Sequence, residues 1–373
     1  MRVLIAGDYC PHGRVADCFS KKDFASVLDD IRPLTARADY SILNLECPVT
    51  KGKAIPIAKV GPNLHCSEEG VEAIKWAGFD GVTLANNHFY DYGESGVKDT
   101  LEVCRRLHLD VSGGGLSLSE ASEILYKDID GKKLAIISCC EHEFSIASER
   151  AGGSNPLNPV QQYYDIQKAK ENSDYIIVIV HGGHESFQLP SPRMQETYRF
   201  FIDVGADAVV NHHQHCYSGY ERYKNKLIFY GIGNFCFDWN PIETDSLWNY
   251  GYMVDLLFMD DSIRFEIIPY KQCSENPKVE LLASDAFDIK LSELNKTIRD
   301  KKLLKEKVDT YYSMQSQNLL LGLQPVQNKY FTAAVHWHMF PSLISKKWLL
   351  KLQNYVFCEA HRDMLDLFLN CKN

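Results

Sequence analysis

Short apolar runs alternate with stretches of helical periodicity along roughly the first 270 residues, which is the rhythm of an α/β sheet. The pattern predicts strands over 2–6, 40–45, 80–84, 134–138, 175–180, 207–210, 227–231, 252–258 and 263–268. It predicts helices over 23–31, 68–77, 94–107, 160–171 and 193–204. The number and spacing of these strands fit a two-layered or sandwiched sheet that is flanked by helices.

The pattern changes after Pro269, where Lys, Leu and Asn become frequent and strand signals become few. Helical periodicity returns over 288–321 and 342–370. We therefore expect one α/β domain over 1–275 and a mostly helical extension over 276–373. The Lys346-Lys347-Trp348 start of the last helix also fits binding at a membrane surface, although packing on the protein's own domain is the commoner role of such a helix.

One long loop is predicted over 145–160, because this segment contains Gly152-Gly153, Pro156 and Pro159. A loop in this position lines a substrate cleft or is a tolerated surface insertion. The pattern does not choose between these two interpretations.

Polar side chains of the kinds that bind metals stand where the apolar runs stop. They are Asp8, Glu46, Asn87, His181, His213 and His215. Strands of an α/β sheet bring such residues to one edge, where sites form. An ionised side chain at the end of an apolar strand is costly unless it is paired, which favours a cation. The set predicts a dinuclear centre in which Asp8 is a terminal ligand and Glu46 a bridging one.

Two segments carry most of this prediction. His213 and His215 are two residues apart after a strand and can present their rings to neighbouring metals, or they can be hydrogen-bonding residues of a polar loop. Asn87 offers an amide oxygen, and His88 after it could donate a proton to a leaving group, with Asp91 orienting its ring. The alternative for this second segment is an Asn-rich helix cap.

Further residues, Asn86 among them, are candidates for substrate contacts or for support of the ligands around the centre. His184 and Glu185 follow His181 closely and are substrate-contact or supporting residues, or members of a solvated turn. Cys10 could be a thiolate ligand, although a plain loop cysteine is the commoner case. Asn234 could line the pocket or fix a ligand, and its neighbouring glycines fit a bend in the strand equally well.

Composition narrows the function classes. The net charge of −9 argues against a general nucleic-acid binder, which needs a basic face, but metals would still allow an anionic substrate at the site. Of the twelve cysteines none forms a C-x-x-C pair, so we expect reduced thiols, no disulfides and a cytoplasmic protein. The chain starts directly with a strand and has no long apolar stretch, so neither a signal peptide nor stable membrane insertion is expected.

The motifs together resemble one family. Their order along the chain is Gly7-Asp8, Asn44-Leu45-Glu46, Ala85-Asn86-Asn87-His88 with Asp91-Tyr92-Gly93, His181-Gly182-Gly183-His184-Glu185, His212-His213-Gln214-His215 and Gly233-Asn234-Phe235. In this order they resemble the CapA family, the bacterial capsule synthesis proteins linked to poly-γ-glutamate, which look like a branch of the calcineurin-like metallophosphoesterases. The resemblance covers about residues 1–270 and leaves the C-terminal helices outside it.

The resemblance implies a four-layer α/β/β/α sandwich and two divalent metal ions, for which Mn, Fe and Zn all fit the ligand types. It implies that Asp8 and His215 bind the first metal, that Glu46 bridges, and that Asn87, His181 and His213 bind the second. His88 matches the superfamily's catalytic histidine. This chain departs from the superfamily pattern at Cys10, where a histidine is usual, at Glu46, where an aspartate is usual, and at Asn86, where a glycine is usual.

Three functions remain open at this stage. The leading one is a metal-dependent hydrolase of an amide, peptide, γ-glutamyl or phosphoester bond, acting on a small molecule, a peptide or a polyanionic polymer. The second is a metal-dependent peptide epimerase that acts at Cα. The third is a non-catalytic protein that binds polyanionic chains during capsule polymer assembly.

Overall fold

The structure, a computed structural model, describes residues 1–52, 54–239, 245–260, 262–322, 326 and 328–357. The chain forms two compact units, Met1–Leu304 and Lys305–Asn373. The predicted boundary between the α/β domain and the helical extension, at residues 275 and 276, stays a prediction. Compact units are defined by contacts within the chain, and they do not test where one functional domain ends.

The strands are, in chain order, β1 (Arg2–Cys10), β2 (Tyr40–Leu45), β3 (Gly81–Thr83), β4 (Asp110–Ser112), β5 (Gly114–Gly115), β6 (Leu125–Ile129), β7 (Lys132–Cys140), β8 (Gly153–Ser154), β9 (Tyr175–His181), β10 (Ala208–His212), β11 (Tyr220–Tyr223), β12 (Lys226–Phe229), β13 (Asn234–Phe237), β14 (Tyr250–Met259), β15 (Ser262–Gln272) and β16 (Val279–Leu281).

The α-helices are α1 (Gly13–Ser20), α2 (Ala25–Leu28), α3 (Arg32–Arg37), α4 (Glu68–Trp76), α5 (Gly93–Arg106), α6 (Leu118–Ala121), α7 (Pro159–Asn172), α8 (Pro192–Val204), α9 (Asp288–Arg299), α10 (Lys301–Gly322), α11 (Lys329–His336) and α12 (Lys346–Phe357). In the described part of the chain, 3₁₀ turns lie at Asp29–Ile31 and Leu247–Asn249. Among the described residues, none of these helices has the length and apolar character needed to cross a bilayer.

Two sheets form the centre of Met1–Leu304. The first has the strand order β16-β15-β14-β1-β2-β3-β4, with β13 also paired to β1, and the second has the order β11-β12-β10-β9-β7-β6. The sheets face each other, since Phe229 of β12 lies with its ring centroid 5.3 Å from that of Phe265 in β15. Helices α7 and α8 cover the outer face of the second sheet, and α1, α4 and α5 share a buried core with the first. The predicted four-layer α/β/β/α sandwich is therefore confirmed.

The central strands are buried on both faces, which explains their continuous apolar sequences. Val3, Leu4, Ile5 and Ala6 of β1 are at most 1% exposed, as expected for a strand between a helix layer and a second sheet. Strands β1 to β4 run parallel to one another, and so do β7, β9, β10 and β12. Their carboxyl ends therefore gather polar residues at common edges.

Local sequence signals define both ends of α8, the helix that precedes β10. The Ser191 side chain accepts a hydrogen bond from the Met194 backbone N–H, and Pro192 occupies the first turn of α8. Gly205 follows the last turn with φ 134°, a conformation that other residues avoid. Helix α8 thus ends immediately before β10, the strand that leads to His213 and His215.

The predicted strands are all present, with shifted ends, but several elements were missed. Missed strands include the short β4 and the half-exposed β6, and α1 was missed among the helices. The predicted helix over 23–31 is wrong in extent, since only Ala25–Leu28 is α-helical and a 3₁₀ turn follows. The loop over 145–160 ends at Asn158 and contains β8. Strand signals also continue past Pro269, in the end of β15 and in β16.

The predicted helix over 288–321 is two helices rather than one. Asp300 leaves the helical conformation with ψ 97° and ends α9. Its carboxylate then accepts hydrogen bonds from the backbone N–H groups of Lys302 and Leu303, each at 3.0 Å, and so caps α10. The last predicted helix, 342–370, is present as α12 over Lys346–Phe357, and residues 358–370 lie outside the described part of the chain.

Candidate metal centre

The six predicted ligands meet at the edge where the carboxyl ends of both sheets come together. Asp8 lies in β1, Glu46 follows β2, Asn87 comes after β3, His181 ends β9, and His213 and His215 follow β10. All six are buried, with exposures of 1% for Asp8, 0% for Glu46, 6% for Asn87, 3% for His181, 6% for His213 and 6% for His215. Most of their ligand atoms fall into two groups that could each hold a cation, and these groups are Glu46–His181–His213 and Asp8–Glu46–His215.

The first group is the tighter one. His181 Nε2 lies 2.9 Å from Asn87 Oδ1, 3.0 Å from His213 Nδ1 and 3.3 Å from Glu46 Oε1. Two ligand atoms that each lie about 2.1 Å from one cation, at about 90–110° to each other, are roughly 3.0–3.4 Å apart. The observed separations therefore fit four donors around one divalent ion, and Asn87 joins this group through its amide oxygen.

The second group is looser and is organised around His215. Its Nε2 lies 3.6 Å from Glu46 Oε1, and its Nδ1 lies 3.7 Å from Asp8 Oδ2. Asn234 Oδ1 lies 2.8 Å from His215 Nδ1 and accepts its hydrogen bond, which fixes the proton on Nδ1 and leaves the Nε2 lone pair facing Glu46. This hydrogen bond orients the His215 ring. Of the two roles predicted for Asn234, it favours the one in which Asn234 fixes a ligand residue.

Glu46 gives the clearest test of whether a cation fits. It is fully buried, and within the described residues neither of its carboxylate oxygens has a hydrogen-bond partner. Burial, with further contributions from the nearby Asp8 and Cys10, raises the pKa of Glu46 well above its ordinary value. Two orphaned oxygens in a buried carboxyl group, shared by both ligand groups, are what a bridging carboxylate offers to a pair of cations.

The histidines are also suited to binding cations. Burial lowers the pKa of His181 well below its usual value, and it lowers the pKa of His213 to about 3. Their rings therefore stay neutral, which is the form that binds metals. His213 and His215 have φ angles of 85° and 53°, a left-handed conformation that is uncommon outside glycine and clusters at functional sites. The turn after β10 therefore directs both imidazole rings towards the ligand groups, and the backbone is strained in doing so.

Two asparagines that the sequence analysis gave no ligand role hold the ligands in place. Asn44, inside β2, donates from Nδ2 to Asp8 Oδ1 at 2.7 Å and lies 3.1 Å from His181 Nδ1. Asn86 donates in turn to Asn44 Oδ1, at 3.1 Å. Asn86 and Asn87 do not cap a helix, because α5 begins only at Gly93. The Asn-rich segment is therefore part of the site.

His88 belongs to a second cluster beside the ligands. Its Nδ1 lies 2.7 Å from Asp91 Oδ2, so the expected contact between these residues is present. Lys59 donates to Asp91 Oδ1 and lies 3.1 Å from His88 Nδ1, with a side chain that is only 2% exposed. Leu64 N–H donates to Asp91 Oδ2 at 2.7 Å. The sequence analysis did not predict a role for Lys59, because this residue lies in an irregular segment that shows no periodicity.

The remaining candidates lie around the centre. Cys10 is the last residue of β1 and is buried next to the Cys47 thiol, so it is not a loop cysteine, and the ligand groups of the described residues do not include it. His184 is near the Glu141–Arg193 ion pair and is also outside these groups. Glu143, also missed, accepts a hydrogen bond from Asn87 Nδ2 at 2.9 Å. Glu185 joins a third group with His213 and His215.

Comparison with known proteins places this geometry in a family. Residues 2–239 match the family described as bacterial capsule synthesis protein PGA_cap. The chain is 32% identical over 260 residues to the capsule biosynthesis protein CapA of Bacillus anthracis, a match that covers 67% of this chain and 63% of that protein. It is 32% identical over 268 residues to the PGA biosynthesis protein CapA of Bacillus subtilis, with 70% and 69% of the two chains covered.

Among solved structures, a 5'-nucleotidase from Candida albicans has a TM-score of 0.43 at 11% identity, over 84% of this chain and 57% of that one. So distant a likeness supports no functional inference. The family match over residues 2–239, in contrast, covers the region that carries the candidate ligand residues. The chain therefore belongs to the bacterial capsule synthesis protein PGA_cap family, as its motifs predicted.

Proposed function

We propose that this protein is a metal-dependent hydrolase that cleaves an amide or peptide bond, γ-glutamyl bonds among them, or a phosphoester. The observation that carries the proposal is Glu46, a fully buried carboxyl group that belongs to both ligand groups and whose two oxygens have no hydrogen-bond partner among the described residues. A buried acid in this state is stabilised by cations and is costly without them.

We assign one cation to Asn87, His181, His213 and Glu46, and a second cation to Asp8, His215 and Glu46. Such a pair of divalent ions, when bound, supplies Lewis-acid polarisation of a substrate oxygen and activation of a water molecule. Imidazole nitrogen with carboxylate and amide oxygen suits Mn, Fe and Zn alike. Asn44 and Asn234 keep the ligands oriented through the hydrogen bonds described above.

His88 is the proton donor in this proposal. Asp91 and Lys59 occupy the Nδ1 side of its ring, so the Nε2 side is left for a substrate. In amide hydrolysis the departing nitrogen needs a proton, and His88 would supply it from Nε2. Asp91 fixes the ring orientation, and the buried ammonium group of Lys59 offsets the charge of Asp91.

The substrate class follows from the relatives and from charge. The two Bacillus relatives are named for capsule and PGA biosynthesis, which supports a polyanionic polymer, or a peptide or smaller fragment of it, as the substrate of this chain. With a net charge of −9, the protein attracts an anionic chain only where local cations outweigh that charge. The proposed metal centre would be such a place.

The test uses the full chain, stripped of metal and reloaded separately with Mn²⁺, Fe²⁺ or Zn²⁺. Each form is assayed in parallel against poly-γ-glutamate, a γ-glutamyl anilide and an aryl phosphate. We expect metal-dependent cleavage of at least one of them, and a loss of about 10²- to 10⁴-fold in kcat for His88→Asn. The matched control is His142→Asn, because His142 is an exposed histidine outside the ligand groups of the described residues.

The same experiment separates the two alternatives. Uptake of deuterium from heavy water at Cα of a peptide, without cleavage, would contradict hydrolysis and support the epimerase. Binding of poly-γ-glutamate with no turnover in any metal form would contradict both enzymes and support a protein of polymer assembly.

A further inference from the structure

The turn after β9 is held against the two histidines that follow β10. The backbone N–H of Ser186 donates to the Gln214 carbonyl at 2.8 Å, and Gln214 Nε2 donates to the Phe187 carbonyl at 2.8 Å. Gln214 is the residue between His213 and His215. Ser186 itself has φ 59°, so the backbone next to Glu185 is held in a conformation that is seldom populated. The position of Glu185 is therefore set by the same turn that carries the two histidines.

This arrangement brings the carboxylate of Glu185 to the centre. One of its oxygens and the nearest ring nitrogens of His213 and His215 all lie within 4.8 Å of one another. Glu185 is exposed, whereas both histidines are 6% exposed, so it approaches from the solvent side. Its neighbour Glu141 is already paired with Arg193 and accepts from the Gly183 N–H, whereas the Glu185 carboxylate has no such protein partner among the described residues.

The charges around Glu46 agree with this placement. Burial raises the pKa of Glu46, and the nearby carboxylates of Asp8, Glu185 and Glu143 raise it further, so several acidic groups converge on Glu46. Carboxylates that converge in this way are stabilised together by a cation between them.

We propose that Glu185 is an additional cation ligand, placed beside His213 of one ligand group and His215 of the other, which closes the solvent side of the two-cation centre. The proposal rests on the metal centre of the proposed function. It also accounts for Cys10, which stands where the superfamily resemblance implies a histidine and which lies against the Cys47 thiol instead. An oxygen ligand from the turn after β9 replaces the nitrogen ligand that β1 does not supply.

The test is calorimetric titration of Mn²⁺ into the metal-free full chain, with the thermal unfolding midpoint of each metal-free variant measured as a check on folding. Three proteins are compared, namely wild type, Glu185→Gln and the control Glu196→Gln. Glu196 is an exposed glutamate on α8 outside the ligand groups of the described residues, so both variants lose the same charge. We expect two Mn²⁺ per chain in wild type and in the control, and one of the two affinities weakened at least about tenfold in Glu185→Gln.

The outcomes distinguish this inference from the function on which it rests. Two Mn²⁺ bound by Glu185→Gln with wild-type affinities would overturn the role of Glu185 and leave the two-cation centre intact. Wild-type protein that binds fewer than two Mn²⁺ would overturn the centre itself. An equal weakening in Glu196→Gln would show a general effect of charge and would also overturn the ligand role of Glu185.

Discussion

The metal centre has a buried side and an open, solvent-exposed side, and their carboxylates differ in how strongly they need a cation to be stable. On the buried side, Glu46 and His181 are 0% and 3% exposed, and their ligand atoms lie 3.3 Å apart. On the open side, Glu185 is exposed to solvent while it shares His213 with the buried group. A buried carboxylate needs a cation, whereas an exposed one is also satisfied by water. The buried side should therefore set the affinity for metal, and the open side should tune it and admit the substrate.

Among substitutions that act on one side of the centre, the largest effect is expected at His181, whose Nε2 lies within 3.3 Å of every other donor of the buried group. His181→Ala should remove the cation of that group and reduce the metal content of the purified protein to one ion per chain or fewer. Elemental analysis checks this, with His184→Ala as the control, because His184 is near in sequence but outside the groups of the described residues. Full metal content in His181→Ala would mean that the buried side does not determine binding.

The next effect concerns the residue that orients a ligand without binding metal. Asn234→Ala removes the acceptor that holds the His215 ring, and we expect the affinity for one cation to fall about 10- to 100-fold. Asn234→Asp keeps an acceptor at the same place and should retain most of the affinity. Titration of Mn²⁺ into the two variants measures the difference, and equal affinities would show that His215 is oriented by something other than this hydrogen bond.

A smaller effect, on turnover alone, is expected at Lys59. Lys59→Met should lower kcat by about tenfold or more, since Asp91 then loses its buried cationic partner and holds His88 less firmly, while the metal content stays unchanged. Lys59→Arg, which keeps the charge, should recover part of the loss. Turnover is measured with whichever of the three test compounds the wild-type protein cleaves, and metal content is measured by elemental analysis. Loss of metal in Lys59→Met would place Lys59 in the metal centre instead.

The smallest effect is expected at Cys10. Cys10→Ala removes a thiol that packs beside Cys47, and we expect both Mn²⁺ affinities to be unchanged. The cost should be limited to about 1 kcal/mol of unfolding free energy for the small cavity. Titration and denaturant unfolding measure the two quantities. A lost cation would make Cys10 a ligand and would remove the reason to assign an additional ligand role to Glu185.

The candidate ligands could be recognised in the sequence because each stands at or just beyond the end of an apolar run. Glu46 and His181 interrupt such runs abruptly, and a sheet edge is the one place where strand ends meet. The four-layer fold followed from the family resemblance. Strands of three residues, such as β4, carry too few positions for a pattern to be recognised.

The residues that were missed have no periodic signal. Lys59 lies in an irregular segment and reaches His88 only through tertiary structure, 29 residues away in the sequence. Asn44 is inside β2, where an asparagine looks like any polar interruption until its contact with Asp8 is seen. For Glu185, the sequence left a supporting role and a solvated turn open, because the hydrogen bond between Ser186 and Gln214 cannot be inferred from local pattern.

The most direct test of the two-cation centre is the metal content of the protein purified at neutral pH, measured by elemental analysis for wild type and Glu46→Ala. Because Glu46 belongs to both ligand groups and its oxygens have no other partner among the described residues, we expect two divalent ions per wild-type chain and none retained by Glu46→Ala. Equal metal content in the two proteins, or a wild-type protein that binds no divalent ion when it is supplied, would contradict the account.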